Sequence, residues 1–482
     1  MQIVKSVFLL VFLLFLSSKS VYSQTGLSIY FDEFLSGSDL KYASASIYIA
    51  DAQTGDSLFS NKQIHLVPAS IMKLVTSAAA LELLGPEMKF ETLVETTGIQ
   101  DSISGLLDGD LIIHGSGDPA MGSEFFNSPD IFQEIINSVK RAGIKSIKGS
   151  VVADASCFSG QPIPKTWIWE DMGNYYGAGA YGISIYDNYY KIHFKSGKPG
   201  TATRIRHTSP GLKELEFVNQ VRSSSVNRDL AFVFAAPGQT KQIITGTIPA
   251  NRKDFVVKAA IPNPPLTFAA TVYERLKNAG VEISKDYQVL LAEDHSPGTA
   301  PRNVIGKIES PALSEIVYEL NHMSVNLFAE ALAKKIGIHI KNEGSTSAGT
   351  QAIVEFWDSL DCNGFHLADG SGLSRFNAIT PQQLTKILVY MNRDSKHKQI
   401  FKASLPVAGK NGTMVFYQSP ELKGKLLAKT GSMTGVRSFA GYLTTAGGRE
   451  IAFSFIVNHF NGPSFGMAQK MEKFLVKVYN EL

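Results

Sequence analysis

The chain has 482 residues, 46 basic against 43 acidic side chains, a formal charge of +3 and 44% hydrophobic residues. That composition allows a sizeable core and about two to four domains on length alone. The near-neutral balance gives no electrostatic reason to expect nucleic acid or an acidic surface as partner. The ten histidines form no H-E-x-x-H and no Cys/His cluster, so no metal site is expected.

Residues 1–23, "MQIVKSVFLLVFLLFLSSKSVYS", read as an export signal: Lys5 supplies the positive start, Val7 to Leu16 the apolar stretch, and Val21-Tyr22-Ser23 a small-residue cleavage site. Loss of Lys5 and Lys19 with this segment lowers the charge from +3 to +1. No Cys follows the cleavage site, and no later run is long and apolar enough to span a bilayer. The mature chain is therefore expected to be exported, periplasmic or extracellular, with no transmembrane segment. Its two cysteines, Cys157 and Cys362, could form a disulfide or stay as separate buried thiols; both readings are open.

Ser44 to Gln63 carries two strand-like runs around a Thr54-Gly55 turn, the pattern of an antiparallel hairpin. Pro68 then precedes a helical pattern from Ala69 to Leu84, closed by Gly85-Pro86. Residues 88–262 are rich in short β-like runs separated by Gly, Pro, Ser and Asp turns, and "IPNPPL" (Ile261 to Leu266) reads as the linker that returns from them. Near the end, "LLAKTGSM", "SFAGYLTT" and "REIAFSFIVNHF" predict three strands. A last helix places Met467, Met471, Phe474, Leu475, Val478 and Leu482 on one face, expected to pack on the core. The chain thus reads as α/β: one domain from residues 24–87 and 263–482, interrupted by an inserted β-rich region, 88–262, of two smaller domains.

Ser-x-x-Lys occurs three times, at Ser38/Lys41, Ser70/Lys73 and Ser395/Lys398. The first and last lie in polar turns expected at the surface. Ser70 instead opens a strongly apolar helix, where positions three apart share a face and free N–H groups favour a developing oxyanion. From this stretch alone, a nucleophile with its base and an N-cap beside a snorkelling lysine are both open. A lysine acts as base only when neutral, which burial and a second cation promote. Lys429, in "AKTGSMTGVRSFAGYL", can supply that cation, with Thr430 and Gly431 following it; Gly431 would let substrate approach the backbone. Ser324 and Asn326, in "NHMSVNLFAEALAKK", offer a hydroxyl for proton relay and an amide to hold a peptide carbonyl. Lys195-Ser196-Gly197 and Ser225-Val226-Asn227 mimic these runs but lie in the inserted region.

Together these motifs resemble the serine penicillin-binding proteins, whose signature is S-x-x-K, S-x-N, K-T-G. More narrowly the chain is similar to the D-alanyl-D-alanine carboxypeptidase/endopeptidase family with large insertions (low-molecular-mass class C, peptidase family S13-like). "HGSGDPAM", "YYGAGAYGISIYDN", "MSVNLFAEAL", "LADGSGLSRFN" and "AKTGSMTGVRSFAGY" follow that family's blocks in its order. The resemblance implies a penicillin-binding/β-lactamase-like transpeptidase domain, an antiparallel sheet flanked by helices, with no cofactor. It implies Ser70 as acyl-accepting nucleophile, Lys73 as base, and Ser324 and Asn326 as relay and substrate holder. Lys429 and Thr430 would bind the terminal carboxylate, and the N–H groups of Ser70 and Ser432 would form the oxyanion hole. Arg375, Met433, Asp171 and Tyr176 would line the stem-peptide site. Val325 departs from the pattern, standing where Asp or Asn is more familiar.

The implied activity is cleavage of peptidoglycan stem peptides ending in D-Ala-D-Ala, and of cross-links, with covalent binding of β-lactam antibiotics. Three rivals have sequence-level tests. An α/β-hydrolase elbow, Gly462 to Gly466, fails because no His or Asp follows Ser464. A serine β-lactamase needs a deacylating glutamate, and "YELN" precedes Ser-Val-Asn instead of following it. A non-catalytic wall-binding scaffold would tolerate loss of Ser70 or Lys73, and both are present. Carboxypeptidase–endopeptidase balance and oligomeric state leave no sequence signal.

Overall fold

A computed structural model describes residues 26–294 and 301–482. The expected export signal lies outside the described residues. The chain divides into two compact units, the first up to Leu83 with Val317–Ser324 and Ile353–Leu482, the second Leu84–Ile316 with Val325–Ala352.

The first unit is built on a five-stranded sheet. Its strands are β1 (Ser44–Asp51), β2 (Ser57–Ser60), β3 (Leu426–Met433), β4 (Val436–Thr444) and β5 (Glu450–Asn458). They lie in the order β3-β4-β5-β1-β2, every neighbour antiparallel. The hairpin and the three C-terminal strands predicted from periodicity are therefore one sheet, closed by pairing β1 with β5 in a register that sets Ile47 against Phe455 and Ile49 against Phe453. β3 is an edge strand.

One sheet face is covered by the last helix, α3 (Ser464–Glu481), which buries Met467, Ala468, Met471, Phe474, Leu475 and Val478. Phe474 sits 5.4 Å from Phe31 and 5.6 Å from Phe455, ring to ring, tying residues 26–35, which are helical, to the C-terminus. On another side of the unit lie α1 (Lys73–Leu84) and α2 (Pro381–Arg393). Thr380 and Gln383 form a capping box at the start of α2, with Pro381 at its first position. α1 is apolar all round and buried from Lys73 to Leu81, as expected of a central helix. Trp357 Nε1 donates to the Val75 carbonyl at 3.2 Å, meeting a polar need inside that core.

The second unit contains a mixed five-stranded sheet, in which Val151–Asp154 pairs in parallel with Leu111–His114 and Tyr287–Leu290. Helices Ile131–Arg141 and Pro264–Asn278 cover it, with Phe132 and Phe268 ring centroids 5.6 Å apart. A three-stranded sheet centred on Tyr189–Lys195, a four-stranded one around Lys241–Pro249 and a second four-stranded one of the short strands Ile99–Asp101, Leu106–Asp108, Ser146–Ile147 and Glu282–Ile283 accompany it.

The return to the first unit comes at Val317, not at Ile261–Leu266, so residues 263–316 and 325–352 part from the terminal segments they were grouped with. The reason is local. Asn263 accepts from Leu266 N–H and Pro264 takes the first helical position, so "NPP" starts a helix instead of marking a linker. That helix buries Phe268, Ala269, Val272 and Leu276 in the core of the second unit.

Substituting Phe474→Ala should lower stability by about 3–5 kcal/mol, read as an earlier denaturant midpoint; a change under about 1 kcal/mol would show that α3 is not part of this core.

Candidate active site

The segment before α1 sets Ser70. Asn458, at the end of β5, grips Val67 through both backbone groups, accepting from its N–H at 2.8 Å and donating to its carbonyl at 3.0 Å. Ala69 then adopts φ +51°, a conformation costly for a residue with a Cβ, and a 3-10 turn over Ala69–Met72 leads into α1. This turn aims Ser70 at Lys73, whose Nζ donates to Ser70 Oγ at 3.0 Å.

Lys73 is fully buried and also donates to the Ser371 carbonyl at 2.7 Å. That carbonyl belongs to the tightly bonded segment "DGSGLSRFN". The buried Asp369 carboxylate accepts from Gly372 N–H at 2.7 Å, Ser374 N–H at 2.5 Å and Asn377 Nδ2 at 2.8 Å. Thr76, one turn along α1 from Lys73, donates to the Gly370 carbonyl at 2.7 Å. Gly372, at φ +84°, has no room for a side chain: a Cβ would stand 2.1 Å from the Ala69 carbonyl oxygen.

Lys429, on β3, is likewise fully buried and donates to Ser324 Oγ at 2.8 Å and to the Thr430 carbonyl at 2.8 Å. Burial first, then the Lys73 ammonium, then Arg437 hold its pKa well below the usual lysine value. Ser324 follows the helix Leu313–Met323 in a left-handed conformation, φ +61°. The two serines and two lysines of the motifs thus meet as the pairs Ser70–Lys73 and Ser324–Lys429, and Lys429 lies in the field of Lys73.

Gly431 has a packing reason beside the expected approach of substrate. A Cβ there would lie 2.2 Å from Ser438 Oγ, 2.7 Å from the Pro68 carbonyl and 3.0 Å from Ser70 N. The missing side chain lets β3 approach the segment that carries Ser70, and Ser438 fills the space by donating to the Pro68 carbonyl at 2.6 Å. Thr430 is nearly buried, and Ser432 is exposed with its hydroxyl 2.9 Å from Ser464 Oγ. Met433 is half-buried, and the exposed Arg375 donates to the Thr434 carbonyl at 3.4 Å.

The division between units falls within the second motif, after Ser324. Asn326, buried at the start of the helix Asn326–Lys341, belongs to the second unit and donates to the Tyr176 carbonyl at 2.7 Å. Tyr176 in turn hydrogen-bonds Asp171; burial and that carboxylate push its phenol up. Asn326 is therefore brought to the segment of Asp171 and Tyr176 from 150 positions away.

The decoys separate by environment. Ser38, Lys41, Ser225 and Asn227 are exposed. Ser395, expected at the surface, is instead buried, its hydroxyl on the Glu82 carboxylate and accepting from His397 N–H. Both cysteines are free thiols; burial pushes Cys362 up to about 11 and Cys157 up to about 12. Asp369, Asn377, Ser371, Ser438 and Asn458 were missed by the sequence reading. Only the Asp-Gly-Ser-Gly turn, in which a buried carboxylate can collect backbone N–H groups, carried a signal.

Replacing Gly431 by Ala forces Ser438 or the Pro68 backbone to shift, so it should lower the melting temperature and slow covalent labelling by a penicillin by about 10²-fold; an unchanged rate and melting temperature would remove the packing reason for this glycine. Arg437 is the third cation of the group, so Arg437→Met should let the buried amines hold protons to higher pH. The ascending limb of acylation rate against pH would then move up; no shift, or a shift down, would contradict this electrostatic coupling.

The model of the D-Ala-D-Ala carboxypeptidase 3 (S13) family matches residues 27–478. The chain is 28% identical over 446 residues to D-alanyl-D-alanine carboxypeptidase DacB of Haemophilus influenzae, covering 88% of this chain and 87% of that one. It is 28% identical over 455 residues to the D-alanyl-D-alanine carboxypeptidase of Actinomadura sp. strain R39, covering 90% and 81%. The crystal structure of penicillin binding protein 4 (dacB) from H. influenzae superimposes with a TM-score of 0.76 at 25% identity, over 91% of this chain and 97% of that one. Among the described residues no helix is long and apolar enough to cross a membrane. With its fold, its paired Ser–Lys sites and a match along nearly its whole length, the chain belongs to the D-Ala-D-Ala carboxypeptidase 3 (S13) family of serine-type carboxypeptidases.

Proposed function

We propose that the protein cleaves the D-alanyl-D-alanine end of peptidoglycan stem peptides, and cross-links of similar shape, through an acyl-enzyme on Ser70. The observation that carries this reading is the 3.0 Å bond between the fully buried Lys73 Nζ and Ser70 Oγ, which is only partly buried and so can be reached by substrate.

Lys73 takes the hydroxyl proton as Ser70 Oγ attacks the carbonyl carbon between the two D-alanines. The oxyanion is held by the N–H groups of Ser70 and Ser432. The C–N bond breaks, and the leaving amine receives a proton relayed by Ser324. Water then hydrolyses the ester.

Lys429 and Thr430 bind the terminal carboxylate. Lys429 is held low by burial and neighbouring cations, and an arriving carboxylate favours its charged form. That charge in turn opposes a second one on Lys73, so substrate binding favours the neutral base. Asn326 holds a substrate carbonyl, and Arg375, Met433, Asp171 and Tyr176 line the stem-peptide site. Penicillins imitate the D-Ala-D-Ala end and stall as acyl-enzymes, and the protein works outside the cytoplasm after removal of residues 1–23. The reaction calls for no metal or organic cofactor.

The purified mature protein and its Ser70→Ala variant should be incubated with a fluorescent penicillin and separated on a denaturing gel. A covalent band in wild type, absent from the variant, is expected, together with D-alanine release from a pentapeptide. A dark wild type with hydrolysed drug would indicate a β-lactamase; a dark wild type with intact drug and intact peptide would indicate a non-catalytic scaffold.

A further inference from the structure

The segment "HGSGDPAM" follows from the strand Leu111–His114, and the mechanism uses none of it. Its Asp118 is only 6% exposed. Oδ1 accepts from the Ala120 N–H at 2.8 Å, while Oδ2 has no hydrogen-bond partner among the described residues. Oδ2 is not among the fully buried atoms left unsatisfied, so it is open to whatever occupies the space it meets.

What Asp118 faces is a cavity of about 560 Å³ within the second unit, in the size range of small-molecule sites. Met121, Phe126, Ile131 and Ile308 give it apolar walls. The charged groups facing it are Asp118, Glu134, Lys307, Glu309 and Glu315. Lys307, the one cation, lies 2.9 Å from both Glu91 and Glu309 and is already matched. Glu315 accepts from the Ala312 N–H at 3.0 Å. Asp118 and Glu134 have no cationic partner among the described residues. Burial pushes Asp118 up to about 7, so near neutral pH its carboxyl stands between neutral and charged, and a nearby cation would favour the charged form.

We propose that this cavity is a binding site for a primary alkylammonium group, with the aliphatic stem along Met121, Phe126, Ile131 and Ile308 and the ammonium on Asp118 Oδ2. Three features select this class. The unmatched charge is negative, the walls are apolar, and the partnerless oxygen accepts a donor. A divalent ion needs several converging oxygens, and among the described residues no group of three His, Cys, Asp or Glu is placed to hold one.

The test is titration of n-pentylammonium into the intact mature protein by calorimetry, with pentan-1-ol and pentanoate as controls. Saturable binding of pentylammonium is expected, about tenfold tighter than pentanol, with no binding of pentanoate. The amine stays protonated throughout, so affinity should rise by about tenfold from about pH 6 to about pH 8 as Asp118 ionises. Asp118→Asn should weaken binding by at least about tenfold and Glu134→Gln, at the half-exposed rim, by a few fold. Should Asp118→Asn fail to fold, Ile308→Trp, which fills the cavity, takes its place and should abolish binding. Binding should persist when Ser70 carries a penicilloyl group. Absence of saturation, equal affinity for pentanol, unchanged affinity in both cavity variants, or loss of binding on acylation of Ser70 would each overturn the proposal.

Discussion

Two fully buried lysines in one unit are the constraint from which the rest of the first unit follows. A buried ammonium is expensive unless it is hydrogen-bonded or gives up its proton, and two near each other are worse. The chain meets part of that cost with oxygens: Ser70 Oγ and the Ser371 carbonyl for Lys73, Ser324 Oγ and the Thr430 carbonyl for Lys429. It meets the remainder through the depressed pKa of Lys429. Each oxygen needs its own support, and much of the local architecture supplies it. Asp369 and Asn377 stiffen the turn that presents the Ser371 carbonyl, and Thr76 fastens that turn to α1.

Two of the backbone positions with positive φ and a Cβ lie beside these lysines. Ala69 and Ser324, next to or within the two motifs, both take positive φ with a Cβ present. Such conformations cost of order 1–3 kcal/mol each and persist only when surroundings over-determine them. For Ala69 those surroundings are visible: Asn458 grips Val67, Ser438 grips the Pro68 carbonyl, and Gly372 and Gly431 leave the space for close approach. The strain is thus held by contacts from three strands and a turn.

Much of this was legible in the sequence because it depends on periodicity and on residue types that only a few chemistries require. The hairpin, the three late strands, the helix behind Pro68 and the amphipathic last helix are carried by alternating or helical patterns, and all are present. The three motifs are preferred to their decoys in sequence by their place in the terminal segments and by the regular elements around them, and the structure pairs Ser70 with Lys73 and Ser324 with Lys429. What escaped was supplied by distant backbone. Nothing in "VNHF" says that Asn458 holds Val67, 391 positions away. Likewise Ser438 reads as one more polar residue in a strand until Gly431 makes room for it. The domain boundary at Ile261 was misplaced because Asn-Pro-Pro signals a turn and a helix start equally well; only the buried face that follows decides.

The helix Asn326–Lys341 shows why a motif can begin in one compact unit and end in another. Its first residue, Asn326, donates to the Tyr176 carbonyl, and two turns on the buried Lys334 donates to the carbonyls of Gln161 and Ala180 at 3.2 and 3.1 Å. Burial lowers Lys334 to about 8, so these carbonyls bear a cation held against its desolvation. One helix therefore holds three carbonyls of the segment that carries Asp171 and Tyr176. Because Asn326 is two residues from Ser324, the order of that segment is linked covalently to the serine that accepts from Lys429. The large insertion is then more than added mass: the helix that fixes its irregular segment is the helix that the second motif opens.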